Sequence, residues 1–220
     1  MTHKVRVGVL FGGQSGEHEV SLVSARAIMD GLDPEKYDII PIGITKQGRW
    51  IIAADAHARL LVQADPSKLP GGSISATTTA SAGVGDQETT DPGTLIVAGE
   101  YSPLKTLDVI FPVLHGPMGE DGTVQGLLEL IGVPYVGCGV LASAVGMDKA
   151  MTKVAFSGAG LPVLPWLLVR RREWEHEPQR VLDWIESRLQ YTMFVNPANR
   201  GSSVGVSKVS DRATLVQGLA

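Results

Sequence analysis

The chain has 220 residues, 44% of them hydrophobic, and a formal net charge of -4 from 19 Lys and Arg against 23 Asp and Glu. That composition is able to bury one large core or two smaller ones and is not that of a disordered chain. The acidic balance, with its basic residues scattered along the chain, gives no footprint for nucleic acid. No run approaches the ~20 apolar residues of a membrane span, and Lys4 and Arg6 interrupt the first apolar stretch too early for a signal peptide. A cytoplasmic location is therefore expected. Cys138 is the single cysteine; without a cationic neighbour to lower its pKa it reads as a small buried residue. His3, His18, His57, His115 and His176 never fall at helical ligand spacing, so no zinc pair and no metal site are expected within the chain.

In chain order, Val5 to Leu10 reads as a strand, Ser21 to Gly31 as a helix, Tyr37 to Thr45 and Val109 to Leu114 as strands, and Thr123 to Ile131 as a helix with Val124, Leu127, Leu128 and Ile131 on one face. This alternation predicts an α/β domain with a parallel sheet, whose ligands bind outside the carboxyl ends of the strands. Asp55 to Gly99, rich in Ala, Ser, Thr and Gly, reads as a variable surface insertion or mobile loop. A second domain follows, with a helix from about Asp148 to Ser157, a strand at Pro165 to Val169 and a helix from Glu177 to Leu189. Its next elements are two short strands, Met193 to Val195 and Val204 to Val209, around a Gly/Ser loop, and a last helix from Arg212, capped by Ser210 or Asp211.

Three loops carry the chemistry. Gly12-Gly13-Gln14-Ser15-Gly16-Glu17-His18-Glu19-Val20-Ser21 follows the first strand, and His115-Gly116-Pro117-Met118-Gly119-Glu120-Asp121-Gly122-Thr123 follows the strand at Val109. The third, Asn196 to Val209, places Gly201 and Gly205 where backbone N–H groups can turn toward phosphate without a Cβ in the way. It is not a Walker loop, because no Lys follows Gly205, and the Gly12-Gly13-x-x-Gly16 spacing lacks the dinucleotide fingerprint. Glu17 near a helix start could be simply an acid favoured by the dipole, whereas Lys149 at a helix start is disfavoured there and needs another reason. A lone His115 at the end of a buried strand could be a core residue. Glu19 reads as a solvated or capping acid, Lys153 as solvated, Glu120 as a partner able to fix the His115 tautomer, and Asp121 as a loop organiser.

With Gly146-Met147-Asp148-Lys149 as a fourth motif, this order closely resembles the D-alanine–D-alanine ligase family, ATP-grasp enzymes of peptidoglycan synthesis. The resemblance implies an N-terminal portion only: a substrate-binding α/β domain over 1–146, with the variable stretch 55–99, and an ATP-grasp domain over 147–220 cut short at its C-terminus, with its glycine-rich loop at 199–206. It implies a ligase that joins two D-alanines through an acyl phosphate, with ATP giving ADP and phosphate, and a chain that is incomplete and inactive alone. The alternative is a non-catalytic ATP-grasp remnant serving as a binding module. Glu17 is implied to hold the ammonium of the first D-alanine, with Val20 and His115 in the same pocket. Ser202 would bond Glu17 on loop closure. Lys149, Asn196, Gly201, Ser202, Ser203, Val204 and Gly205 would hold the nucleotide, although Asn196 stands where the family has a lysine. The resemblance places the Mg²⁺ ligands, and most residues that choose among D-alanine, D-lactate and D-serine as second substrate, beyond residue 220, and it implies a homodimer.

Overall fold

Val7, Val9 and Phe11 alternate with Leu10 along β1 (Val5–Gly12), so both faces of the first strand are apolar and helices are needed on each side. The computed structural model describes residues 3–64 and 103–220. Contact grouping divides the chain into two units, Met1–Ala144 and Val145–Ala220.

In the first unit β1 is central. It pairs in parallel with β2 (Tyr37–Ile44) and with β4 (Val109–Pro112), while β3 (Trp50–Ile52) runs antiparallel on β2, giving the order β3-β2-β1-β4. The expected parallel sheet thus carries an antiparallel edge strand, made possible by the short Thr45–Arg49 turn. Helices α1 (His18–Gly31) and α2 (Ala56–Gln63) cover one face, where Val9, Phe11, Leu22, Ala25 and Leu60 pack together. Helix α3 (Thr123–Ile131) covers the other, where Leu10, Ile42, Ile110, Val124 and Leu128 meet. A short 3₁₀ turn at Pro103–Thr106 leads into β4, and α4 (Val140–Met147) follows the sheet.

The stretch read as an insertion needs correction at its start. Ala56 and Leu60 are one turn apart and both buried, so this end of it is a core helix; the remainder, from residue 65, lies outside the described residues. Cys138 is exposed, not buried, because its Gly-flanked segment runs over the surface after α3.

In the second unit α5 (Lys149–Gly158) starts on Asp148, whose carboxylate accepts from the Ala150 and Met151 amides at 2.9 and 3.0 Å. The core is formed by α7 (Pro178–Arg188) and α8 (Arg212–Leu219) on the antiparallel hairpin of β5 (Met193–Val195) and β6 (Ser207–Val209), through Val181, Leu182, Ile185, Met193, Val209 and Leu215. A further helix, α6 (Arg171–His176), was not anticipated. Pro165 to Val169 is not a strand: Leu167 and Val169 pack on the core, but the segment joins no ladder among the described residues. Asp211, and not Ser210, caps α8, accepting from the Thr214 amide at 2.8 Å.

Candidate functional site

The carboxyl ends of β1, β2 and β4 gather the first two motif loops. Ser21, at the start of α1 and fully buried, accepts from the Gly12 amide at 2.8 Å and donates to the Val113 carbonyl at 2.5 Å, bonding the end of β1 to the chain just past β4. Ser15 adds a second tie by donating to the His115 carbonyl at 2.7 Å. These two serines bring the Glu17 and His115 segments side by side. Gly116 has φ 73, and a Cβ built on it would lie 2.7 Å from Glu17 Oε2, so the carboxylate rests against a backbone that only glycine accommodates there.

Glu17 itself is the residue preceding α1, so its charge sits at the positive end of that helix. The His115 ring meets Ser24 Oγ at 3.1 Å. Glu120 does not orient that ring; it accepts from the Gly116 amide at 2.7 Å and so shapes the loop instead. Asp121 performs the expected loop work, accepting from the Met118 and Thr123 amides at 2.8 and 3.0 Å. Burial pushes its carboxyl up, but these bonds outweigh that and hold it below the usual carboxylate value. Glu19 is the clearest departure from the sequence reading. It is 2% exposed and paired with Lys46 Nζ at 2.5 Å, a partner 27 residues away that no local pattern announces. Val20 is half-buried on α1. Between the loops lies a mostly apolar cavity of about 230 Å³ bordered by Gly13, Ser15, Trp50, Leu114, His115 and Met118.

The remaining predicted residues belong to the second unit. Lys149 opens α5, where its backbone amide donates to Ala198 O at 3.0 Å and its ammonium to Arg200 O. The cation that is unfavourable at a helix start is therefore used to tether the glycine-rich loop. In that loop Ser202 and Ser203 have φ of 49 and 58, and Gly205 has φ 77 with Pro197 Cγ 2.9 Å from where its Cβ would be. Gly201 has open space around it, so of the two glycines only Gly205 is demanded by the backbone. The Val204 amide closes on the Gly201 carbonyl at 3.0 Å, within the loop itself.

A cavity of about 460 Å³ is lined by Lys149, Lys153, Trp166, Leu168, Phe194 and Asn196. Two ammonium groups beside an aromatic and aliphatic wall suit a ligand with an anionic chain and a flat ring, which is the chemistry of ATP. Lys153, read as solvated, thus shares the cavity with Lys149. A larger opening of about 560 Å³ in the same unit is bordered by Leu167, Trp174, Ile185 and Leu215 and contains neither lysine. Among the described residues no group of three or more His, Cys, Asp or Glu side chains is placed to hold a metal ion.

Comparison with known proteins matches residues 6–138 to the D-ala D-ala ligase N-terminus and residues 155–220 to the D-ala D-ala ligase C-terminus. A D-alanine--D-alanine ligase of Ruminiclostridium cellulolyticum is 48% identical over 98% of this chain and 57% of its own length, and one of Geobacillus thermodenitrificans is 49% identical over 96% and 56%. Among solved structures, the VanG D-Ala:D-Ser ligase of Enterococcus faecalis superposes with a TM-score of 0.73 at 34% identity, covering 99% of this chain and 59% of that one. The chain thus spans somewhat over half the length of the curated relatives it matches. The match is not confined to the family's N-terminal portion, because residues 155–220 answer to its C-terminal part. That finding corrects the expectation of an N-terminal portion only, since the chain carries residues of both parts of the family. Ligases 48% and 49% identical over 98% and 96% of this chain are what counts against the expectations of an inactive chain and of a non-catalytic remnant. With both parts matched and the motif loops assembled at the strand ends, the chain belongs to the D-alanine–D-alanine ligase family.

Proposed function

We propose that the protein carrying this chain is an ATP-dependent ligase that joins two D-alanines. The observation that carries the reading is the Glu17 carboxylate lying against Gly116, at the carboxyl ends of β1 and β4, where the two motif loops are bonded together. A carboxylate held at the start of a helix, beside a small cavity, is suited to fix the ammonium of an amino acid and so to orient its carboxyl group. His115 borders that cavity, and the half-buried Val20 of α1 is assigned to the same pocket by family membership. In the second unit Lys149 and Lys153 hold the phosphates and the wall of Trp166, Leu168 and Phe194 holds the base, with Asn196 at the edge. Gly201, Ser202, Ser203, Val204 and Gly205 form the cover. Two successive non-glycine residues with positive φ support this assignment, since backbone strain of that kind gathers at ligand clamps.

ATP supplies the phosphoryl group that activates the carboxylate of the first amino acid; this chain's residues bind, orient and exclude water. Family membership supports magnesium as the accompanying ion, a homodimer, and a cytoplasmic place in the supply of cell-wall precursor. No helix among the described residues is long and apolar enough to cross a membrane. Incubation with magnesium, ATP and D-alanine should yield the dipeptide and one phosphate per bond formed. Equal phosphate release with L-alanine, or none above background with D-alanine, would overturn the reading. D-serine added beside D-alanine reports whether the second position is selective.

A further inference from the structure

The turn between β2 and β3 touches the Gly12–Glu19 loop at three places. Ile44 O, at the end of β2, accepts from the Gly13 amide at 2.8 Å. Gly48, at φ 84, lies so close to Gln14 that an added Cβ would stand 2.9 Å from Gln14 Nε2. Lys46 completes the set by pairing with the buried Glu19, two residues after Glu17 in the first turn of α1. The turn is itself stiff: Thr45 exchanges backbone bonds with Gly48 and Arg49 at 2.9 Å, and its hydroxyl accepts from the Arg49 amide at 3.1 Å.

We propose that this turn is a bracket, with Lys46 as a positioning residue that sets where the Glu17 carboxylate stands. The inference rests on the reading of Glu17 as the ammonium site. Glu19 is almost fully buried, and a buried carboxylate deprived of its cation rearranges its surroundings to find another partner or water. Those surroundings are the first turn of α1, which Glu17 begins. Lys46 never meets the amino acid; it acts through Glu19 and the helix start. The lysine side chain is 41% exposed, so one end of the pair reaches water while the other is held in the core.

Three variants test the bracket. Lys46→Met leaves Glu19 without its cation, Lys46→Arg keeps the charge, and the double change Glu19→Gln with Lys46→Met removes both charges. Lys46→Met should raise KM for the first D-alanine about tenfold, as a small displacement of a binding group does, with KM for ATP unchanged and amides 13–18 exchanging faster than in the parent. Lys46→Arg should restore both, and the double variant should fall between. Gly48→Ala, which displaces Gln14 and not the ion pair, should show the same pattern more weakly and serves where Lys46→Met does not fold. Unaltered exchange of amides 13–18, or an equal rise in both KM values, would overturn the bracket. Absence of turnover in the parent protein counts against the ligase reading alone, because amide exchange still decides the bracket without any substrate.

Discussion

Glu17 is the residue whose placement carries the functional argument, and its charge is the property to remove. Glu17→Gln keeps the shape and hydrogen-bonding reach of the side chain but cannot pair with an ammonium. Losing a charge-assisted contact costs roughly 1.5–3 kcal/mol. KM for the first D-alanine should therefore rise by at least tenfold while KM for ATP stays near the parent value. Steady-state kinetics with each substrate varied separately would measure this, and unchanged KM for D-alanine would return Glu17 to the role of a helix-start acid. That the loops of Glu17 and His115 would meet was legible, because each follows an apolar run at a strand end. Glu19, in the same motif, was not, because its partner Lys46 belongs to a different loop and only the parallel register of β1 on β2 brings the two together. Glu120 was misread for a related reason: spacing showed that it was near His115 but not that the Gly116 amide would claim it first.

At the scale of elements, the glycine-rich hairpin separates what composition suggests from what the backbone requires. Gly201 and Gly205 look equivalent in sequence, yet only Gly205 occupies the left-handed region and faces Pro197. Gly205→Ala should strain the loop by about 1–2 kcal/mol, raise KM for ATP and lower the unfolding midpoint slightly, whereas Gly201→Ala should fold with the parent midpoint. Thermal unfolding of both variants beside ATP kinetics checks the contrast; equal loss of stability in the two would refute the assigned backbone roles. The strands flanking this loop and helices α1 and α3 of the first unit were legible from apolar periodicity. Pro165 to Val169 was not, because its apolar residues do pack but its backbone has no strand beside it among the described residues, and pairing cannot be read from one segment alone. The start of the supposed insertion was hidden in a similar way, since the small residues around Ala56 and His57 gave little sign of a buried face.

Over the whole chain, sequence reading recovered the α/β class and the order of the motif loops, because both depend on local pattern. It missed what depends on distant partners: the antiparallel edge β3, the bracket turn and the packing of α2 on α1. His57 is the point where that last packing becomes measurable. Its Nε2 meets Leu22 O of α1 at 2.8 Å, and its ring stands edge-on to Phe11 with centroids 5.3 Å apart. Burial depresses its pKa below the ordinary imidazole value; the bond to the Leu22 carbonyl opposes that shift, Arg26 adds to it and Asp30 opposes it, the net being downward. In the unfolded chain the same imidazole takes up its proton at the ordinary value, near 6.5. As pH falls through that value, the unfolded state gains a proton that the folded state still refuses, so stability drops until the folded pKa is passed. Above the ordinary value both states are neutral at this site and the effect vanishes. Replacing His57 by Gln, which retains a donor for the Leu22 carbonyl, should remove this part of the slope while lowering stability at neutral pH. Urea unfolding of parent and His57→Gln at several pH values between neutrality and mild acid measures it: the gap between the two should narrow as the medium is acidified. A gap that stays constant would mean that folding leaves the proton affinity of His57 unchanged, and one that widens would mean that the folded chain holds the proton more tightly, the contact of α2 with α1 then being a charged one.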